Sequence, residues 1–261
     1  MFLSVSGKTD FSRSRFGGDA YFSGSILSGG AIFHKAHFVG RAYFDGVTFG
    51  ASAQEVVTFQ DSDFKEPATF LDARFPGRYP GLLGMVLNER TIFTADPAHW
   101  PKGAQADPAE AKASCAAIRH NLGKQGLPEA EHFFYRREMG FAGKSGPVWQ
   151  RPPYWLFGWF SDYGYSILTP FLWLLLLIVL GAYVLAWGLA GGVLALSFEQ
   201  GLGLSFANVF NFLGFHRAFL EADFTQNLPQ WLKVVSAFQT IFGVVLLFFL
   251  GLGLRTRFRL R

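Results

Sequence analysis

Few side chains in this sequence have the spacing of metal ligands. His34 and His37 lie three residues apart, and two imidazoles at this spacing could share a metal ion. No cysteine and no third histidine joins them at ligand spacing. We therefore predict no metal site and no cofactor.

A denser polar group, YRRE at residues 135–138, combines a phenol, two guanidinium groups and a carboxylate. It could form a catalytic cluster. The adjacent Phe133 and Phe134 favour a second interpretation, a packed helix with salt bridges on its outer face. The sequence has no phosphate-binding loop, no Ser/His/Asp or Cys/His set and no paired catalytic carboxylates where a pocket is expected. We predict that the chain is not an enzyme.

A third group of polar side chains lies in or beside long apolar segments. Asn208 and Asn211, three residues apart, would share one face of a helix. A polar stripe in an apolar helix either hydrogen-bonds a neighbouring helix or lines water. If these residues surround a pore, Glu221 and Asp223 would lie at its outer mouth. The candidate pore-lining residues are Asn208, Asn211, Glu221, Asp223, Ser236, Gln239, Thr240 and Gly243.

Two apolar segments could position these polar residues. Residues 168–189 and 234–254 are long enough to cross about 30 Å of hydrocarbon. Residues 202–215 are also apolar but too short to cross, which predicts a re-entrant or interfacial helix, capped by Ser205 and ended by Gly214. Backbone at membrane depth must be enclosed by protein or a water-filled space, so a re-entrant segment implies an oligomer.

The net charge of +4 comes from the flanks of these segments. Basic and acidic residues balance within residues 1–80, so we predict no nucleic-acid partner. The basic flanks predict a multi-pass protein of the inner (plasma) membrane with both termini in the cytoplasm. Trp and Tyr crowd residues 144–166, which are expected to lie along the cytoplasmic interface. The arginines expected to contact lipid headgroups are Arg151, Arg255, Arg257, Arg259 and Arg261.

Phenylalanine, with 31 copies, dominates the N-terminal part of the sequence. It recurs every eleven residues from Phe11 to Phe44, with a second apolar row between, so that the step alternates between five and six. After a contraction by one residue the pattern resumes at Phe59. This short period predicts a solenoid in which each turn packs on its neighbours. The residues expected in its core are Phe11, Phe22, Phe33, Phe38, Phe44, Phe49, Phe59, Phe64, Phe70 and Phe75.

The stretch AIFHKAHFVGRAYFDGVTF repeats a motif close to A-x-F-x-x, and residues 9–78 resemble a pentapeptide-repeat array. The resemblance implies a right-handed quadrilateral β-helix of about three coils. IRHN and EAEHFFYRREM resemble the connector that follows the repeats in membrane-bound pentapeptide-repeat proteins. The C-terminal part resembles their channel-like end and the two-span pore modules of tetrameric cation channels. No T-V-G-Y-G run follows Gly214, so selectivity by a ring of carbonyl groups is not supported.

The predicted fold is mixed: a β-helix, a helical hairpin connector and a C-terminal two-helix transmembrane domain with a re-entrant half-helix. The predicted boundaries are 1–80 for the β-helix, 81–106 for a linker, 107–143 for a cytoplasmic hairpin, 144–166 for the interfacial aromatic segment and 167–261 for the two-span pore-like domain.

Two functions remain open. The first is a homo-oligomeric ion-channel-like protein, with a tetramer favoured, whose repeat module serves gating or docking and whose partners are membrane lipids, copies of itself and ions. The alternative is a membrane-anchored scaffold whose repeats bind a cytoplasmic protein.

Overall fold

The computed structural model describes residues 3–102, 105, 107–189, 196–211, 215 and 228–258. They form two compact units, Met1–Trp155 and Leu156–Arg261. The first unit contains the strands and a helical hairpin, and the second contains the long apolar helices.

The strands of the first unit are two or three residues long and pair in parallel. They are β1 Ser4–Val5, β2 Thr9–Asp10, β3 Arg15–Phe16, β4 Ala20–Tyr21, β5 Ile26–Leu27, β6 Ala31–Ile32, β7 His37–Phe38, β8 Ala42–Tyr43, β9 Thr48–Phe49, β10 Val57–Thr58, β11 Asp63–Phe64, β12 Ala68–Phe70 and β13 Ile92–Phe93. Strands β1 to β8 each pair with the strand four places further along the chain, as in the sheet β1-β5-β9, so four strands complete one coil. The result is a four-sided β-solenoid, which confirms the β-helix in the predicted mixed fold.

Phenylalanine rings fill the inside of the solenoid. Each ring stacks face to face on the ring one coil away, as when Phe38 lies 4.6 Å from Phe16 and 4.4 Å from Phe64, measured between centroids. Rings on neighbouring sides meet edge to face, the other favourable geometry for aromatic pairs. Phe11, in the first coil, is half-buried, whereas the other predicted core phenylalanines are buried.

The coils differ in length at one corner. The steps from β1 to β5 and from β5 to β9 are 22 residues, whereas the step from β6 to β10 is 26. The four extra residues lie between β9 and β10, where the Glu55 carboxylate accepts a hydrogen bond from the Ser52 N–H at 2.7 Å. The one-residue contraction inferred from the phenylalanine rows is therefore a four-residue insertion. It lengthens one side from six residues to ten, which resembles a shortened eleven-residue repeat.

The solenoid also continues beyond residue 80. Gly81 and Val86 form parallel bridges with the third coil, and β13 pairs with β12. The buried Phe93 extends the aromatic core into this fourth coil. The β-helix therefore extends beyond the predicted boundary at residue 80. The predicted linker, residues 81–106, contributes irregular sides of a coil in which Gly and Pro form the turns.

A helical hairpin closes the fourth coil. It consists of α1 Pro108–Lys124 and α2 Pro128–Ala142, and the Asp107 carboxylate caps α1 by accepting the Ala109 N–H at 2.9 Å. Trp100 stacks on Phe75 and meets Phe134 of α2 edge-on, with centroids 4.9 Å and 5.0 Å apart. The hairpin thus covers rings that would otherwise face water, which is the role of a terminal cap in a solenoid.

Within the described residues, four α-helices follow: α3 Pro152–Ser161, α4 Leu168–Gly188, α5 Phe198–Val209 and α6 Gln230–Phe258. α4 and α6 have 21 and 29 residues and are long and apolar enough to span a membrane. Only 28% and 17% of their apolar windows are buried, far less than in the core helix of a soluble protein. α4 starts at the predicted residue, whereas α6 extends four residues beyond the predicted segment at each end.

Candidate functional site

The second unit is built around the short helix α5, which packs on both α4 and α6. Near its start, a Cβ added to Gly201 would lie 2.7 Å from the Ala182 carbonyl oxygen. At its end, Val209 packs with Leu174 of α4 and Leu246 of α6. α5 therefore runs back along α4 and ends beside the middle of α6.

α5 begins earlier than the sequence predicts. The Ser197 hydroxyl accepts the Gln200 N–H at 3.3 Å, and the Gln200 side chain accepts the Ser197 N–H at 3.0 Å. This capping box satisfies two backbone donors at once, so it outcompetes a cap formed by one serine. Ser205, the predicted N-cap, instead lies inside the helix and donates to the Ile178 carbonyl at 2.8 Å. Gly214, the predicted end, is outside the described residues.

Three buried polar side chains connect α5 to the two long helices. The Asn208 amide donates to Gln239 Oε1 at 2.9 Å, and Gln239 Nε2 donates to Ser205 Oγ at 2.7 Å and to the Leu177 carbonyl at 3.3 Å. Ser205, Asn208 and Gln239 are each at most 2% exposed. In apolar surroundings such groups must pair with each other, and here they do so within one chain.

Glycines allow the close approach that this network requires. A Cβ on Gly181 would overlap the Gln239 amide, and one on Gly243 would lie 3.0 Å from Val209 Cγ1. Small residues at helix contacts are typical of membrane helix packing. Gly181 and Gly201 were not predicted from the sequence, although Gly201 and Ser205, four residues apart, form a small-xxx-small pattern that could have identified the α4-facing side of α5.

The predicted pore-lining residues that the structure describes fall into three groups, which are buried, partly buried and exposed. Asn208, Gln239 and Gly243 are buried between helices, where they hold the helices together within the chain. Of the two alternatives given for a polar stripe, Asn208 and Gln239 show the hydrogen bond to a neighbouring helix, and the lining of a pore stays a prediction.

Two more of these residues are only partly buried. Thr240 Oγ1 donates to the Asn208 carbonyl at 3.0 Å and contacts the Ser236 carbonyl at 3.1 Å, whereas the Ser236 hydroxyl has no hydrogen-bond partner among the described residues. Asn211, just beyond α5, is exposed. Glu221 and Asp223 lie outside the described residues.

Three of the predicted headgroup arginines belong to the described residues and lie near helix ends. Arg255 and Arg257 are exposed in the last turn of α6, where positive charge also favours the helix dipole. Arg151 is half-buried and donates to the Gly146 carbonyl at 2.9 Å. Arg259 and Arg261 lie outside the described residues.

In the first unit, the YRRE group is divided between different contacts. Glu138 pairs with Arg119 at 2.7 Å, and its carboxylate is largely buried. The Arg137 guanidinium donates to the Tyr79 hydroxyl and lies 4.6 Å from the Phe133 ring centroid. Since the two charged groups bond to different elements, this part of the hairpin supports packing of the cap on the solenoid.

The single cysteine belongs to the same contact. Cys115 is fully buried in α1, and burial raises the pKa of its thiol to about 12. Burial likewise raises the pKa of the neighbouring Tyr79 hydroxyl. Both groups are therefore neutral at physiological pH, which makes this thiol a poor nucleophile.

The two histidines of the repeats do not converge on a common partner. His37 Nδ1 lies 3.8 Å from the Asp63 carboxylate on the solenoid surface. Within the described parts of the chain, no group of three or more His, Cys, Asp or Glu side chains could hold a metal ion.

A comparison with protein families agrees with the strand register. Residues 4–48 match a family model described as pentapeptide repeats, nine copies. The N-terminal solenoid is thus built from pentapeptide repeats. Searches of curated proteins and of solved structures give no match.

Proposed function

We propose that this chain is a homo-oligomeric, channel-like membrane protein, with its pentapeptide-repeat unit in the cytoplasm as a gating or docking module. A tetramer is the favoured assembly. In this assembly, copies of α6 and α5 surround a central axis, as closed rotational symmetry permits.

The observation that carries the proposal is the position of α5. A capped helix of 12 residues is too short to cross a membrane, yet it packs along two helices that could. The chain therefore reaches the depth of Gly243 and Leu246, near the middle of α6, before α6 itself begins at Gln230. Backbone that turns at membrane depth is stable only where protein or a water-filled cavity surrounds it, and copies of this unit would supply both.

Charge and exposure support the proposed orientation. α4 and α6 expose large apolar side chains along most of their length, which suits hydrocarbon. Arg151 precedes α4, and Arg255 and Arg257 end α6, so the basic flanks lie on one side of a two-span protein. The proposed location is the inner (plasma) membrane, with both termini in the cytoplasm.

The buried network narrows the proposed pore lining. Because Asn208 and Gln239 bond to each other, they position α5, and the exposed Asn211 becomes the main candidate to face the axis. Glu221 and Asp223 remain proposed residues of the outer mouth.

The test is to purify the full chain in detergent, measure the particle mass, and record currents in planar bilayers. Asn211→Asp should raise the cation preference of the current, because it adds one negative charge per subunit at the pore, and Asn211→Leu should reduce conductance. Lys8→Gln, on the solenoid, is the matched control and should leave both unchanged. A monomer that carries no current would reject the proposal.

One observation favours a membrane-anchored scaffold as the second candidate. Ser205, Asn208 and Gln239 satisfy one another within one chain, so the helices need no partner subunit for these groups. The solenoid also presents a stacked pair, Tyr21 on Tyr43 at 4.9 Å, with Tyr21 72% exposed, where a cytoplasmic protein could dock. A monomer without current would support this function.

A further inference from the structure

The second unit contains an apolar groove of about 320 Å³ between α4 and α6. Leu177, Leu180 and Val184 of α4 form one wall, and Val235 and Phe242 of α6 form the other. Phe160 of α3 also lines it. The groove opens outward, since Leu180 on its rim is 54% exposed.

The groove requires no polar group from an occupant. None of its lining residues is charged, and the only side chains with a polar group are those of Gln239 and Trp173. The Gln239 amide already bonds to Asn208, Ser205 and the Leu177 carbonyl. An uncharged hydrocarbon therefore complements this surface, whereas a polar ligand would lose its own hydrogen bonds to water.

The shape of the walls distinguishes between two apolar occupants. Another membrane helix packs closely where small residues let the backbones approach. Here Gly201 and Gly243 are used inside the three-helix packing with α5, and at the groove only Gly181 is small, where the Gln239 amide already occupies the space next to it. The remaining lining residues are Phe, Trp, Leu and Val. A flexible chain can fill such irregular space better than a rigid helix.

We infer that this groove is a binding site for one acyl chain of a membrane phospholipid. The inference rests on the membrane placement in the proposed function. An acyl chain would restore the dispersion contacts that the walls of an empty groove lack. It would also contact both α4 and α6 on the side that α5 does not cover.

The experiment is native mass spectrometry of the full chain, purified in detergent, with dipalmitoyl phosphatidylglycerol as the probe. Wild type should retain one lipid per chain after the bulk lipid is removed. Leu180→Trp and Val235→Phe fill the groove from opposite walls and should each lower retention by about tenfold. Leu175→Trp, on an exposed position of α4 away from the groove, is the matched control and should retain lipid as wild type does.

Equal retention by wild type and both groove variants would overturn the inference. So would a loss of subunits from the particle with lipid retention unchanged, because that result would place a second copy in the groove. A dodecyl detergent that displaces the probe completely at equal concentration would show that any alkyl chain suffices, which also contradicts a phospholipid site. The particle mass from the same spectra tests the proposed oligomer separately, since a monomer could still bind lipid.

Discussion

The hydrogen bond between Asn208 and Gln239 gives a quantitative test of how α5 is held. Asn208→Leu removes the donor of a 2.9 Å hydrogen bond to Gln239 Oε1. This oxygen then lacks that donor, although Gln239 is only 2% exposed. Gln239→Leu removes this bond and the two that Gln239 Nε2 makes. The double variant leaves neither amide unpaired, so it should be less destabilised than the sum of the single variants.

The expected coupling energy is about 1 kcal/mol. An unsatisfied buried acceptor costs about 1–3 kcal/mol in soluble proteins, but measured couplings between membrane helices average about 0.6 and reach about 1.7 kcal/mol. The assay is reversible unfolding of the full chain in mixed micelles of increasing SDS fraction, followed by helical circular dichroism at equilibrium.

Asn211→Leu serves as the control, because Asn211 is exposed, and its effect should stay within about 0.5 kcal/mol. Strict additivity of the two single variants would refute the reasoning. It would mean that the amides do not bond in the folded chain and that Asn208 is free to line a pore.

Three further predictions concern the first unit, and each is measured on the full chain. Phe33→Ala should cost about 3–5 kcal/mol in urea unfolding, because its ring is fully buried and stacked on both sides, whereas Phe11→Ala should cost less, because Phe11 is half-buried with a ring on one side only. Lys35→Gly should raise the melting temperature and stabilise by about 0.5–1 kcal/mol, because Lys35 has a φ of 56°, a conformation that glycine adopts without strain. Stability should fall as pH rises from about 9.0 towards about 12, because the Cys115 thiol ionises in the unfolded chain before it can in the folded one. Cys115→Ala should weaken that fall, and an unchanged slope in alkaline urea titrations would contradict the buried thiol.

The features that the sequence predicts well are those with a local physical signal. The phenylalanine spacing sets the solenoid, since each ring must find a partner one coil away. Asp107 before Pro108 sets the start of α1, and an uninterrupted apolar run sets α4. In each case a regular spacing or a short motif in the sequence is enough to predict the element.

The features that the sequence does not reveal depend on contacts between distant segments. Ser197 and Ser205 are both reasonable caps in isolation, and only the packing of Ser205 on α4 separates them. Gln239 looks like part of an exposed stripe until Asn208, 31 residues earlier, is placed against it. The fourth coil was hidden because its irregular sides keep the pairing but lose the phenylalanine spacing.

The enlarged corner between β9 and β10 also affects how such arrays are recognised. The nine repeat copies matched by the family model cover residues 4–48, and the paired coils continue beyond the corner to β13. The five-residue spacing breaks at this corner, whereas the hydrogen-bonded sides resume after it, as the pairs of β10 with β6 and of β11 with β7 show. Estimates of solenoid length from repeat counting alone would therefore be too short wherever a corner carries extra residues.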